Sequence, residues 1–179
     1  MRPSRYSRIG LNDRRFATTS AARLLEAAAK IDARVHLMTL LGGDAGLRRG
    51  EIIALRWQDV DLKRRQSKIE KSVWQGVEDV PKSGRGRIVD MTEALTEALR
   101  AHRHLKGPRV LYQDDGRTMV DENTLQDWIE RATTRARLAP TRGVHILRHT
   151  FCSHLAMRGA PAKSIQELAG HGSLAMTLR

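Results

Sequence analysis

Residues 144–179 constrain the chain more than any other stretch. They read V-H-I-L-R-H-T-F-C-S-H-L-A-M-R-G-A-P-A-K-S-I-Q-E-L-A-G-H-G-S-L-A-M-T-L-R. Leu147, Phe151 and Leu155 recur at every fourth position, which predicts a helix with an apolar row turned to a core. His145 and Arg148 stand three apart, so an imidazole and a guanidinium share one face of the same helix. Gly159 closes that helix, and Pro161 opens a shorter one to about Ala169 with Ile165 and Leu168 inward. Gly170 stops the second helix and exposes His171, and Ser173 reads as the N-cap of a third.

A second stretch, residues 46–61, reads G-L-R-R-G-E-I-I-A-L-R-W-Q-D-V-D. It fixes a turn, a cation, a carboxylate and an apolar anchor in one short run. Arg48 leaves the turn, and Glu51 follows one helical turn later, close enough to orient it or to form an ordinary ion pair with it. Arg49 is expected on the surface. Upstream, Thr18 or Thr19 caps a helix to about Lys30 with Leu24, Leu25 and Ala28 on one face. A second helix runs over about 33–41 with Val35, Leu37, Met38 and Leu41 inward, and Gly42, Gly43 and Gly46 end it.

Over residues 66–91 the period changes from helical to alternating. Residues 67–74 alternate around Ile69 and Val73, 77–81 and 87–91 are short and extended, and Gly84 and Gly86 supply a turn. One small antiparallel sheet is predicted. Thr92 caps a helix to about Leu105, with Leu95, Ala98, Leu99 and His102 in a stripe and His102 and His104 as packing or surface residues. Asp121 caps another helix, carrying Leu125, Trp128, Ile129, Ala132 and Ala136. The predicted fold class is therefore mainly α with a small antiparallel β-sheet.

The chain has 179 residues, ample for one core. Lysines and arginines number 32 against 20 acids, a formal charge of +12, which points to a polyanionic partner. Aromatics are 4% of the residues, so backbone phosphate contact is favoured over base stacking. Cys152 stands alone, which excludes an internal disulfide and suits a reducing cytoplasm. No stretch has the length and apolarity of a membrane span. Residues 1–17 hold Arg2, Arg5, Arg8, Arg14 and Arg15 without periodicity and read as a basic linker or arm.

Taken together, H-x-L-R-H-T-F followed by L-A-G-H and Thr177 resembles the C-terminal box of the tyrosine recombinases, the phage integrase family. G-L-R-R-G-E-I-I-A-L-R-W-Q-D-V-D resembles that family's first catalytic box. P-K-S-G-R-G-R-I-V-D-M resembles its β-hairpin, with Lys82 on the catalytic lysine, Arg87 on a basic position and Asp90 where the family has Pro. Lys68, Lys71 and Arg85 are rivals for the lysine role. The resemblance implies a recombinase catalytic domain over residues 18–179, with Arg48, Lys82, His145, Arg148 and His171 as catalytic residues and Glu51 in support. It implies a double-stranded DNA partner, a nucleoid-associated location, a 3′-phosphotyrosyl intermediate and no cofactor.

In the family pattern the nucleophilic Tyr would stand immediately after Arg179. The expectation is a catalytic domain cut before its nucleophile, without its upstream core-binding domain or C-terminal tail. Such a chain is expected to be monomeric and cleavage-incompetent, whereas the intact protein forms a tetramer on paired DNA sites. Neither Tyr6 nor Tyr112 is expected to substitute. Two other readings stay open: a DNA-binding relic acting by occupancy, and a type IB topoisomerase-like enzyme. A zinc helix is a further competitor, because His145 and His149 are four apart, but Arg148 intervenes and H-E-x-x-H is missing. No metal is expected.

Chemically, two guanidinium forks suit a phosphodiester that gains charge in an in-line transition state. A mobile ammonium suits protonation of the leaving 5′-oxygen, and imidazoles suit proton transfer from a phenol or hydrogen bonding to phosphate. Arg48 and Arg148 are the forks, Lys82 the ammonium, and His145 and His171 the imidazoles.

Overall fold

The computed structural model describes residues 19–80, 86–140 and 143–170. The expectations placed on Lys82 and His171, on Tyr6 and the basic arm, and on the helix after Ser173 lie outside these residues.

Helix α1 (Thr19–Ala29) buries Leu24, Ala27 and Ala28 and packs on α2 (Ala33–Gly43). The Asp32 carboxylate caps α2 by accepting from the Arg34 amide at 2.7 Å. Val35, Leu37, Met38, Leu40 and Leu41 are all buried, because α2 is the central helix. It touches α1, α3 (Arg49–Ala54), α4 (Glu93–His102), α5 (Glu122–Arg135) and α6 (His145–Met157).

Gly42 and Gly43 do not end α2 as expected; they are its last turn. A Cβ at Gly42 would lie 2.7 Å from the Leu147 Cβ. The glycine is there so that α6 can approach the backbone of α2, and the helix ends only at Asp44.

The alternating run divides in two. After a 3-10 turn (Trp57–Asp59), β1 (Val60–Asp61), β2 (Gln66–Ile69) and β5 (Arg87–Asp90) form an antiparallel sheet in the order β1-β2-β5. Strands β3 (Ser72–Trp74) and β4 (Val77–Asp79) form a separate hairpin that packs against α3. The expected single sheet is two, because the chain breaks at Glu70 and Lys71 between Ile69 and Val73, which are both buried.

Thr92 caps α4 through the Leu95 amide, and α4 ends at His102, leaving Leu105 98% exposed. Asp121 caps α5 in the same way through the Thr124 amide.

On α6 the apolar row divides its work. Leu147 enters the main core, whereas Phe151 and Leu155 join Ile165, Leu168 and Ala169 of α7 (Ala162–Ala169) in a smaller one. At about 1.5–3 kcal/mol for each large apolar side chain fully buried, these contacts fix α6 against both α2 and α7. That position brings the end of α7 and the start of α3 to the same place. Gly170 caps α7 in the left-handed conformation.

Candidate functional site: a guanidinium cluster on a buried carboxylate

Arg48 is the N-cap residue of α3, and its neighbour three positions on, Glu51, is fully buried. The Glu51 carboxylate accepts the Arg48 amide at 2.8 Å and Arg48 Nη1 at 3.0 Å. It also accepts both ends of the Arg87 fork from β5, each at 2.8 Å. Arg48 Nη2 donates to the Gly170 carbonyl at 2.5 Å, tying α3 to the end of α7. From α6, Arg148 Nη1 donates to the Gly46 carbonyl at 2.6 Å. Two guanidiniums thus share one carboxylate and a third stands close enough to feel their charges, drawn from three elements far apart in sequence.

Burial raises the Glu51 carboxyl, but hydrogen bonds and charge from Arg87, and then Arg48, outweigh it and hold the group below its usual range. Arg148 moves the other way. Burial first, and then the neighbouring Arg48 charge, lower its guanidinium to about 10. A cation held under such strain is stabilised by any anion that enters. Two donors of the cluster, Arg148 Nη2 and Arg87 Nε, are buried with no acceptor among the described residues. Leaving such donors unmet costs about 1–3 kcal/mol each, a cost that an anion's oxygens would remove.

Arg48, Glu51 and Arg148 of the sequence-derived set therefore come together. His145 is the first residue of α6, exposed at the rim one turn before Arg148. In the sequence Arg87 is marked only as a basic position on a hairpin. Its bidentate bond to Glu51 makes it part of the cluster, and only the pairing of β5 with β2 could have announced it.

Arg49, expected on the surface, is half-buried there, with its guanidinium 5.5 Å from the Trp74 ring centroid. His149 is exposed, and His154 Nε2 is buried with no hydrogen-bond partner among the described residues. His102 and His104 do pack, both against the Val110 carbonyl at 3.1 Å. Tyr112 is 8% exposed, accepts from the Arg109 amide and meets His104 edge-on, so its hydroxyl is not presented to a substrate. No cluster of three or more metal-ligating side chains occurs among the described residues, and no described helix is long and apolar enough to cross a membrane.

A family model of the phage integrases matches residues 14–179. The chain belongs to the phage integrase family. It is 31% identical to the tyrosine recombinase XerA of Thermococcus kodakarensis, over 87% of this chain and 53% of that protein. It is 26% identical to a XerC-like tyrosine recombinase of Caldanaerobacter subterraneus subsp. tengcongensis, over 80% of this chain and 44% of that one. The chain thus spans about half the length of these relatives.

Among solved structures, a crystal structure of XerA recombinase superposes with a TM-score of 0.77 at 26% identity, covering 90% of this chain and 57% of that one. The Tn1549 transposon integrase in complex with circular intermediate DNA gives a TM-score of 0.79 at 22% identity, over 90% and 60%, and so shares the fold. The mainly helical fold with small antiparallel sheets is that of the tyrosine recombinase catalytic domains.

Proposed function

We propose that this chain is the catalytic domain of a site-specific DNA recombinase that cuts and rejoins strands through a 3′-phosphotyrosyl intermediate. One observation carries the reading: Arg48 and Arg87 share a single carboxylate with the Arg148 guanidinium within reach of their charges, and two of the buried donors of these arginines have no acceptor among the described residues. The named relatives are tyrosine recombinases, and the Tn1549 integrase was solved with DNA. A scissile phosphate is the anion that fits.

In this reading Arg48 and Arg148 bind the two non-bridging oxygens, so that charge gained in the transition state meets fixed donors. A tyrosine oxygen attacks phosphorus, its proton passing to His145, while Lys82 gives a proton to the departing 5′-oxygen. His171 adds a hydrogen bond to the phosphate. The phosphotyrosyl bond keeps the energy of the broken diester, so an incoming 5′-hydroxyl reverses the steps without a cofactor. Four copies on two paired duplex sites, in the compartment that holds the DNA, complete the exchange.

The test is a nicked suicide DNA substrate, scored for a covalent protein–DNA adduct on a denaturing gel. The chain as given is run beside a form extended past Arg179 by a tyrosine and a helical tail. An adduct that needs the added tyrosine and disappears in Arg148→Gln supports the reading. An adduct made equally by the chain as given assigns the nucleophile to Tyr6 or Tyr112 and refutes the tyrosine assignment. DNA binding to a cognate site with no adduct from either form replaces catalysis by occupancy.

A further inference from the structure

On the hairpin that packs against α3 the protein exposes a large aromatic ring. Trp74 is 57% exposed, whereas Trp57 and Trp128 are 7% and 5% exposed. Val77, its cross-strand partner, and Val80 are also exposed, at 67% and 64%. The ring is not on a loose loop. Gln75 and Gly76 turn the hairpin with φ values of 50° and 77°, the paired positive values of a tight two-residue turn. The Gln75 amide donates to Glu122 Oε1 at 3.0 Å, which fastens the tip to the first turn of α5.

At the base of the hairpin, Val73 is buried and Gly50 of α3 lies flush against it. A Cβ at Gly50 would stand 2.4 Å from the Val73 carbonyl oxygen and 2.5 Å from the Ser72 hydroxyl. Glycine is what lets the hairpin sit on the first turn of α3. Arg49 then places its guanidinium over the outward Trp74 ring. The result is a rigid, flat, cationic platform next in sequence to Arg48.

We infer that the Arg49–Trp74 platform is a docking surface for the duplex DNA that flanks the phosphate bound by Arg48 and Arg148. The inference rests on the proposed function and adds a contact outside the guanidinium cluster. Charge complementarity selects the occupant. The patch carries a cation, follows directly on Arg48 in the chain and belongs to a chain of formal charge +12, so a second copy is repelled and a polyanion attracted.

Arg49 follows Arg48 directly in the chain, and its guanidinium turns to the Trp74 ring while that of Arg48 turns to Glu51 and Gly170. In the inferred complex the two cations, on one turn of α3, contact separate phosphates of the same duplex. The guanidinium takes the phosphate, while the indole lies flat against the deoxyribose beside it.

Because the other two tryptophans are buried, Trp74 reports on its own contact. The experiment is acrylamide quenching of tryptophan fluorescence on the chain as it exists, with and without a duplex oligonucleotide at low salt. Binding is followed separately by gel shift, and Trp74→Phe identifies the exposed component. The expected result is that DNA lowers the quenching constant about twofold, toward the value of Trp74→Phe.

Trp74→Ala should weaken DNA binding about tenfold with an unchanged circular dichroism spectrum. Arg49→Gln should reduce the slope of log affinity against log salt by about one. DNA bound in the gel while Trp74 keeps its full accessibility overturns the inference. So does protection that grows with protein concentration in the absence of DNA, which assigns the patch to a second copy. Failure to bind DNA at all overturns the proposed function itself and is distinguishable from both.

Discussion

Removing Arg87 tests the cluster through folding alone, without DNA. Arg87→Met keeps the aliphatic stem and deletes the fork that meets Glu51 at 2.8 Å on both oxygens. Two charge-assisted bonds are worth about 1.5–3 kcal/mol each, and breaking a buried pair costs about 3–5 kcal/mol. Arg48 stays bonded to the same carboxylate, so the expected loss is at the lower end, about 3 kcal/mol.

The pH dependence carries the sharper signature. In the parent protein the Glu51 carboxyl is held below its ordinary value, so its contribution to stability is present above about pH 4.3 and is lost as pH falls through the folded value. Without Arg87 the burial that opposes this lowering should prevail, and the carboxyl should rise above its ordinary value. Acidification then relieves the variant while it weakens the parent, and the stability gap closes.

Urea unfolding at pH 7.5 and 4.5 measures this, with m unchanged and a midpoint about 1–2 M lower at the higher pH. A gap below about 1 kcal/mol at pH 7.5, or one equally large at both pH values, would refute the claim that Arg87 neutralises Glu51. The functional corollary is that without Arg87 the full charge of Glu51 falls on Arg48, which then has less to offer a phosphate.

Three further outcomes are expected. Arg148→Lys loses the planar fork while keeping a cation, and adduct formation by the tyrosine-extended form on a suicide substrate should slow about a hundredfold or more. Gly42→Ala drives a methyl into Leu147 and should cost about 1–3 kcal/mol in urea unfolding, with adduct formation falling as well because Leu147 anchors the helix that carries Arg148. Glu78 is held at about 2, by Lys71 first and then, against burial, by Arg109 and Arg56. Its contribution is present above the ordinary carboxylate range and lost as pH falls through about 2, so Glu78→Gln should flatten the acid limb of stability between about pH 4 and 2.

Much of this molecule was legible in the chain. Periodicities near four placed the helices, and Asp121 and Thr92 capped them where their side chains could meet a free amide. The two boxes of spaced residues marked Arg48, Glu51 and Arg148, because a helix turn makes positions three apart neighbours. These are local facts, and local facts are what a sequence encodes directly. What needed the tertiary structure were contacts between distant segments: the glycine at position 42 that admits Leu147, the Gly170 carbonyl that receives Arg48, the Gly46 carbonyl that receives Arg148, and the β5 pairing that delivers Arg87 to Glu51. By itself the sequence determined which cations the chain owns and on which elements they ride. The packing of α3, α6, α7 and β5 decided which of them share one buried carboxylate, because low dielectric and unmet donors arise only where separate elements exclude water together.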